Sequence, residues 1–158
     1  MDLALPLEYA AIERILAHRY PFLLVDRITE FEVDRRIVGI KNVSLNEHYL
    51  SRGIDGSMVL PSTILTEAVA QVGAIMILAK PENRQHLILL RSIKRVRYRN
   101  PVRPGDVVEI EATVLRLRSR MGILKGVGSV DGRIVVEGTM TFALEPAPGG
   151  AGLADDAE

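Results

Sequence analysis

The stretch PSTILTEAVAQVGAIMILA, Pro61 to Ala79, is apolar on nearly every helical face yet carries one carboxylate, Glu67. Pro61 suits the first turn of a helix, where its missing N–H would have no intrahelical partner. Pro81 sets the other limit, because a residue before proline is pushed out of the helical region. Between them Ile64, Leu65, Ala68, Val69, Val72, Ile75, Met76 and Leu78 leave little polar surface. A helix of that kind must be covered on most of its sides.

The flanking segments say what covers it. Upstream, Leu7 to His18 places Ile12, Ile15 and Leu16 on one face, which predicts a short amphipathic helix ended by Pro21. FLLVDRITEFEV and RRIVGIKNVS, Phe22–Val33 and Arg35–Ser44, flank Asp34 and predict a hairpin. Asn46 to Leu60, with Gly53, Gly56 and the turn-prone Asp55-Gly56, reads as a loop. Downstream, HLILLRSIKRVRY leads through the turn-rich NPVRPGD into VVEIEATVLRLR, whose residues alternate apolar and polar from Val108 to Val114. GILKGVGSV and RIVVEGTMTFAL then flank Asp131-Gly132, a strong two-residue hairpin signal. The pattern predicts an α+β fold, with an antiparallel sheet wrapped around one long helix over residues 1–145. A second copy of the chain is the simplest cover for the helix face that one sheet leaves open. Residues 146–158, PAPGGAGLADDAE, have the composition of a disordered tail.

Composition narrows the function classes. The chain has 158 residues, enough for one domain with a single core. Lys+Arg and Asp+Glu both number 20 with no long run of one sign, so neither a nucleic acid nor an anionic membrane is expected as partner. There is no cysteine, which removes thiolate nucleophiles and cysteine-held metals. The N-terminus lacks the features of a signal peptide, and the most apolar window is too short for a bilayer span. A cytoplasmic protein is the expectation. The three histidines, His18, His48 and His86, share no metal-ligand spacing, and no Gly-rich phosphate loop occurs, so no metal and no cofactor is expected.

HRYPFLLVDR (His18–Arg27), IVGIKNVSLNE (Ile37–Glu47), TEAVAQ (Thr66–Gln71), YRNPVRPGD (Tyr98–Asp106) and GILKGVGSVDGRIVVEGTMTFAL (Gly122–Leu144) stand in one order. Together they resemble the FabZ-type β-hydroxyacyl-acyl-carrier-protein dehydratases, over roughly Leu5 to Leu144. The resemblance implies a hotdog fold and dimers, often assembled further, with active-site tunnels at the dimer interface. It implies an acyl thioester on acyl carrier protein or coenzyme A as substrate. In that family the loop before the helix usually reads like GHFPGHPVMPG. Here the catalytic-histidine position is Gly53 and the second histidine is Ser57, while the catalytic acid falls on Glu67 and the helix glutamine on Gln71. One half of the catalytic pair is kept and the other is replaced.

Glu67 is therefore the candidate acid. A carboxylate enclosed by apolar surface favours its protonated form and can give that proton to a departing hydroxyl. Gln71 and Thr63 lie one turn to either side on the same stripe. The helix's first N–H groups, at Ser62 and Thr63, and the Gly56 N–H are candidate donors to a thioester carbonyl. His48 and Asp55 are candidate substitutes for the missing base, and a partner chain supplying the histidine in a mixed dimer is the third. His18 reads as part of a packing motif. Arg91, Lys94, Arg95, Arg97, Arg99 and Arg103 form a basic region that would suit an acidic carrier protein. Three functions follow: a dehydratase with an unusual base, a non-catalytic acyl-thioester binder or silent subunit of a mixed dehydratase, and an acyl thioesterase.

Overall fold

The structure, a computed structural model, describes residues 4–147. The chain begins with strand β1 (Leu7–Glu8) and helix α1 (Tyr9–Glu13). The helix predicted from Leu7 to His18 is thus much shorter. Its apolar period is real, since Ile12 and Leu16 are buried, but Leu7 and Glu8 are drawn into the sheet by pairing with Ile28 and Arg27. β2 (Arg27–Glu32) and β3 (Arg36–Asn42) form the expected hairpin, with Asp34 in the left-handed region at φ 58°.

The segment read as a loop holds a small hairpin of its own. β4 (Ser51–Arg52) and β5 (Met58–Val59) pair through Ser51 with Val59 and Arg52 with Met58. The long helix α2 spans Ser62–Leu78. Its end is held by the Ala79 N–H bonding to the Ile75 carbonyl at 2.8 Å and by Asn83 Nδ2 donating to the Ile77 carbonyl at 2.8 Å. Four strands follow: β6 (His86–Tyr98), β7 (Val107–Arg118), β8 (Met121–Val130) and β9 (Arg133–Pro146). β9 takes in Pro146, one residue beyond the predicted domain limit; the tail from residue 148 lies outside the described residues.

The main sheet is antiparallel throughout, in the order β1-β2-β3-β7-β8-β9-β6. It wraps one face of α2, so the architecture is the α+β hotdog that the sequence predicts. Close approach of helix and sheet depends on glycine in β8. A Cβ on Gly126 would stand 2.2 Å from Cγ1 of Val69, so α2 can lie there because no side chain does. Asp131 and Gly132, at φ 49° and 75°, make the β8–β9 turn.

Two features position the site. β6 is the free edge of the sheet, yet Leu87, Leu89, Leu90 and Ile93 on it are exposed. Behind the β4–β5 hairpin, the Lys41 ammonium, 4% exposed, pairs with Glu47 at 2.9 Å and anchors the segment leading into it.

Candidate active site

Glu67 projects from the second turn of α2 toward the edge strand β6. Two cavities of about 200 Å³ meet at it. One is walled by His18, Ala70, Gln71, Ala74, Ile88, Leu89, Leu90 and Phe142. The other is bounded by Thr63, Thr66, Leu90, Ile93 and Tyr98. Its side chain is 24% exposed, so the carboxylate is reached from these cavities and is not sealed in the core. The predicted stripe of Thr63, Glu67 and Gln71 is present, and Thr66 joins it by a 2.6 Å hydroxyl contact with Tyr98.

Gln71 does more than line a cavity. Its side chain is buried, its Oε1 accepts the Leu24 N–H at 2.9 Å, and its Nε2 donates to the Phe22 carbonyl at 2.8 Å and to Glu67 Oε1 at 2.9 Å. One amide thereby fixes the HRYPFLL segment against α2 and orients the carboxylate. A buried amide with each of these groups satisfied is well held.

That fixing brings in His18, which the HRYPF motif presents as a packing residue. His18 Nε2 lies 3.4 Å from Glu67 Oε1, and its ring leans on Phe22 with centroids 5.9 Å apart. The contact spans 49 positions of sequence, beyond what local pattern can register. The only sequence signal was the presence of an imidazole in the HRYPF motif itself.

The other candidates go elsewhere. His48 is exposed and stacks edge-on against Tyr49 at 5.2 Å; it lines neither cavity at Glu67. Asp55 is committed to its loop: Oδ1 accepts the Ser57 N–H at 3.0 Å and the Ser57 hydroxyl at 2.6 Å, and Oδ2 pairs with Arg103 at 3.1 Å. The Ser57 hydrogen bonds first, then Arg103, lower its carboxyl to about 2, which makes it a poor base near neutrality. The Gly56 N–H, expected to face a substrate carbonyl, donates to the Gly53 carbonyl at 3.0 Å, and Gly56 adopts φ 79° as a turn residue. Ser62 and Thr63 remain as donors, because Ile64 and Leu65 already bond to the Pro61 carbonyl. Gly53 sits in the same loop; a Cβ there would meet Asp55 Oδ1 at 3.0 Å and Val59 Cγ1 at 3.3 Å, not Glu67. Among the described residues no group of three or more His, Asp or Glu side chains is placed to hold a metal ion.

The sequence and the fold have counterparts among known proteins. Residues 16–139 match the model of the FabA-like domain. The chain belongs to the FabA-like family.

Within the family it is FabZ-like. It is 45% identical over 138 residues to the 3-hydroxyacyl-[acyl-carrier-protein] dehydratase FabZ of Bacillus velezensis, covering 87% of this chain and 98% of that one. The enzyme of the same name from Moorella thermoacetica is also 45% identical, over 87% of this chain and 96% of its own. Among solved structures, the dehydratase heterocomplex ApeI:P from Xenorhabdus doucetiae shares the fold with a TM-score of 0.73 at 22% identity, over 85% of this chain and 90% of that one. A thioesterase from Pseudomonas aeruginosa shares it with a TM-score of 0.66 at 15% identity, over 89% and 95%. Membership accounts for the shared frame, an antiparallel sheet around one main helix, and leaves the chemistry to the residues.

Proposed function

We propose that this chain acts on 3-hydroxyacyl thioesters carried by acyl carrier protein, eliminating water through Glu67, in fatty-acid or related acyl-chain metabolism. The observation that carries this reading is Glu67 itself: a carboxylate oriented by Gln71 where two largely apolar cavities meet. An acyl chain fits such walls, and the thioester carbonyl would face the helix N-terminus, where Ser62 and Thr63 offer N–H donors. The names borne by the relatives support the substrate class. Arg91, Lys94, Arg95 and Arg97 are exposed along β6 and have no ion pair among the described residues, which suits an acidic carrier. Coenzyme A thioesters are the alternative carrier. A cytoplasmic location and a cofactor-free reaction belong to the same reading.

The reading includes self-association. Exposed Leu89 and Ile93, 42% and 43% accessible on a free edge strand, would be covered by a second β6 in a homodimer or larger assembly. Gly53 favours a second version. A chain without the family histidine would be the silent or acyl-binding subunit of a mixed dimer whose partner supplies it. The thioesterase reading keeps Glu67 as the group that would orient water, since Asp55, its other candidate, is held by Ser57 and Arg103.

The test is product analysis by mass spectrometry. Purified chain is incubated with 3-hydroxybutyryl carried on acyl carrier protein and, separately, on coenzyme A. Enoyl thioester formed by the chain alone supports the proposal. Enoyl thioester formed solely after adding a second, histidine-bearing hotdog chain supports the mixed dimer. Free acid and free thiol would replace both with hydrolysis.

A further inference from the structure

The two oxygens of Glu67 are treated differently by the fold. Oε1 accepts the Gln71 Nε2–H at 2.9 Å and faces His18 Nε2 at 3.4 Å. Oε2 has no hydrogen bond among the described residues. The other ring nitrogen of His18, Nδ1, is buried and also without a partner among them. Burying an unpaired N–H donor costs more than burying an unpaired ring lone pair, so the imidazole's proton belongs on Nε2, the nitrogen that lies 3.4 Å from the carboxylate. The tilted Phe22 ring and the Gln71 bonds to Phe22 and Leu24 keep the imidazole in that place.

We infer that His18 is a positioning residue for Glu67. With Gln71 it flanks Oε1 and leaves Oε2 as a single atom that serves as base and then as acid. The inference rests on the dehydratase reading and says how the site works with glycine at position 53. In the reaction Oε2 takes the proton beside the thioester carbonyl, and the C–H electron pair moves onto the carbonyl oxygen as an enolate. The enolate reforms the carbonyl, the bond from the β-carbon to the hydroxyl breaks, and the hydroxyl leaves as water with the proton from Oε2. A 3-hydroxyacyl thioester becomes a 2-enoyl thioester and water, and Glu67 returns to the carboxylate. Because one oxygen handles both groups, the hydrogen and the hydroxyl must leave from the same face.

Several charged groups surround His18. Glu67 faces it from α2, and Arg14 after α1, Arg84 before β6 and His86 at the start of β6 line a cavity with it. A role in packing and a role in positioning are separated by the split between kcat and KM and by a conservative replacement. The experiment measures hydration of a crotonyl thioester in D₂O by wild type, His18→Gln, His18→Ala and Glu67→Gln, with thermal melting of each. His18→Ala is expected to lower kcat roughly tenfold or more with KM little changed. His18→Gln, which keeps an N–H near the Nε2 position, should recover most of the rate. Deuterium and hydroxyl should add to one face. His18→Gln as slow as His18→Ala would overturn the inference, because it would show the imidazole itself exchanging the proton. His18→Ala with wild-type kcat would overturn it in favour of packing. Wild type no faster than Glu67→Gln would instead remove the dehydratase reading, and this inference with it.

Discussion

The side-chain carbonyl of Gln71 accepts the backbone N–H of Leu24, 47 residues earlier, at 2.9 Å. This bond and its neighbour to Phe22 join the central helix to the segment that carries His18, so stability and site geometry depend on the same amide. Gln71→Leu keeps the volume but leaves a buried N–H and a carbonyl unpaired. The expected loss is about 2–4 kcal/mol of unfolding free energy, with a fall in any turnover because Glu67 loses its donor. Urea unfolding checks it, and a loss below about 0.5 kcal/mol would mean the segment is held by packing alone.

Lys41 and Glu47 form a second structural pair, 4% and 14% exposed at 2.9 Å. Removing one partner strands a buried charge, so Glu47→Ala should cost about 3–5 kcal/mol. Replacing both, Lys41→Met with Glu47→Leu, should restore most of that. A double variant as unstable as the single one would show that the pair does more than neutralise itself.

Asp55 yields a pH dependence. Its folded carboxyl lies at about 2 against an ordinary 3.8, so between those values the unfolded chain binds more protons than the folded one. Its contribution is complete above 3.8 and is lost as the pH falls toward 2. Because the group is exposed, the contribution is small. Melting temperatures of wild type and Asp55→Asn should differ slightly at neutral pH and converge on acidification. Turnover should be unchanged by this variant, since Asn keeps the acceptor for Ser57; a large fall in kcat would return Asp55 to the chemistry.

Much of the fold is legible in short-range pattern. The apolar helix between Pro61 and Pro81, the Asp34 and Asp131-Gly132 turns and the alternation in β7 each state their structure within ten or twenty residues. Leu7 and Glu8 were misread because their partner, β2, lies some twenty residues away and outweighs a helical period. The site was half legible. Glu67 stands out as a lone carboxylate in a buried helix, but its contact with His18 is set by Gln71 across 47 to 49 positions. The loop candidates are held by bonds that local pattern does not register: Asp55 by Ser57 and Arg103, and the Gly56 N–H by the Gly53 carbonyl.

Gly53→His tests the proposal that Gly53 stands at the histidine position of the family. Within one chain a side chain at 53 meets Asp55 and Val59 first, so the new ring must displace them. A well-placed base is worth about 10²–10⁴ in rate. This variant should gain less than about tenfold in crotonyl thioester hydration, and the gain should vanish in Gly53→His/Glu67→Gln. A gain near the upper figure would show that the loop aims the residue at Glu67 without rearrangement, within the chain or across an interface.

The most direct measurement is the ratio of dehydration rates of 3-hydroxybutyryl thioester by wild type and Glu67→Gln, two side chains of nearly equal size. The account predicts equal melting temperatures and a fall of at least about 10²-fold in kcat/KM, because Gln can neither take nor return the proton. Equal rates in two equally folded proteins would contradict it, and Glu67 would then be a structural partner of His18 and Gln71.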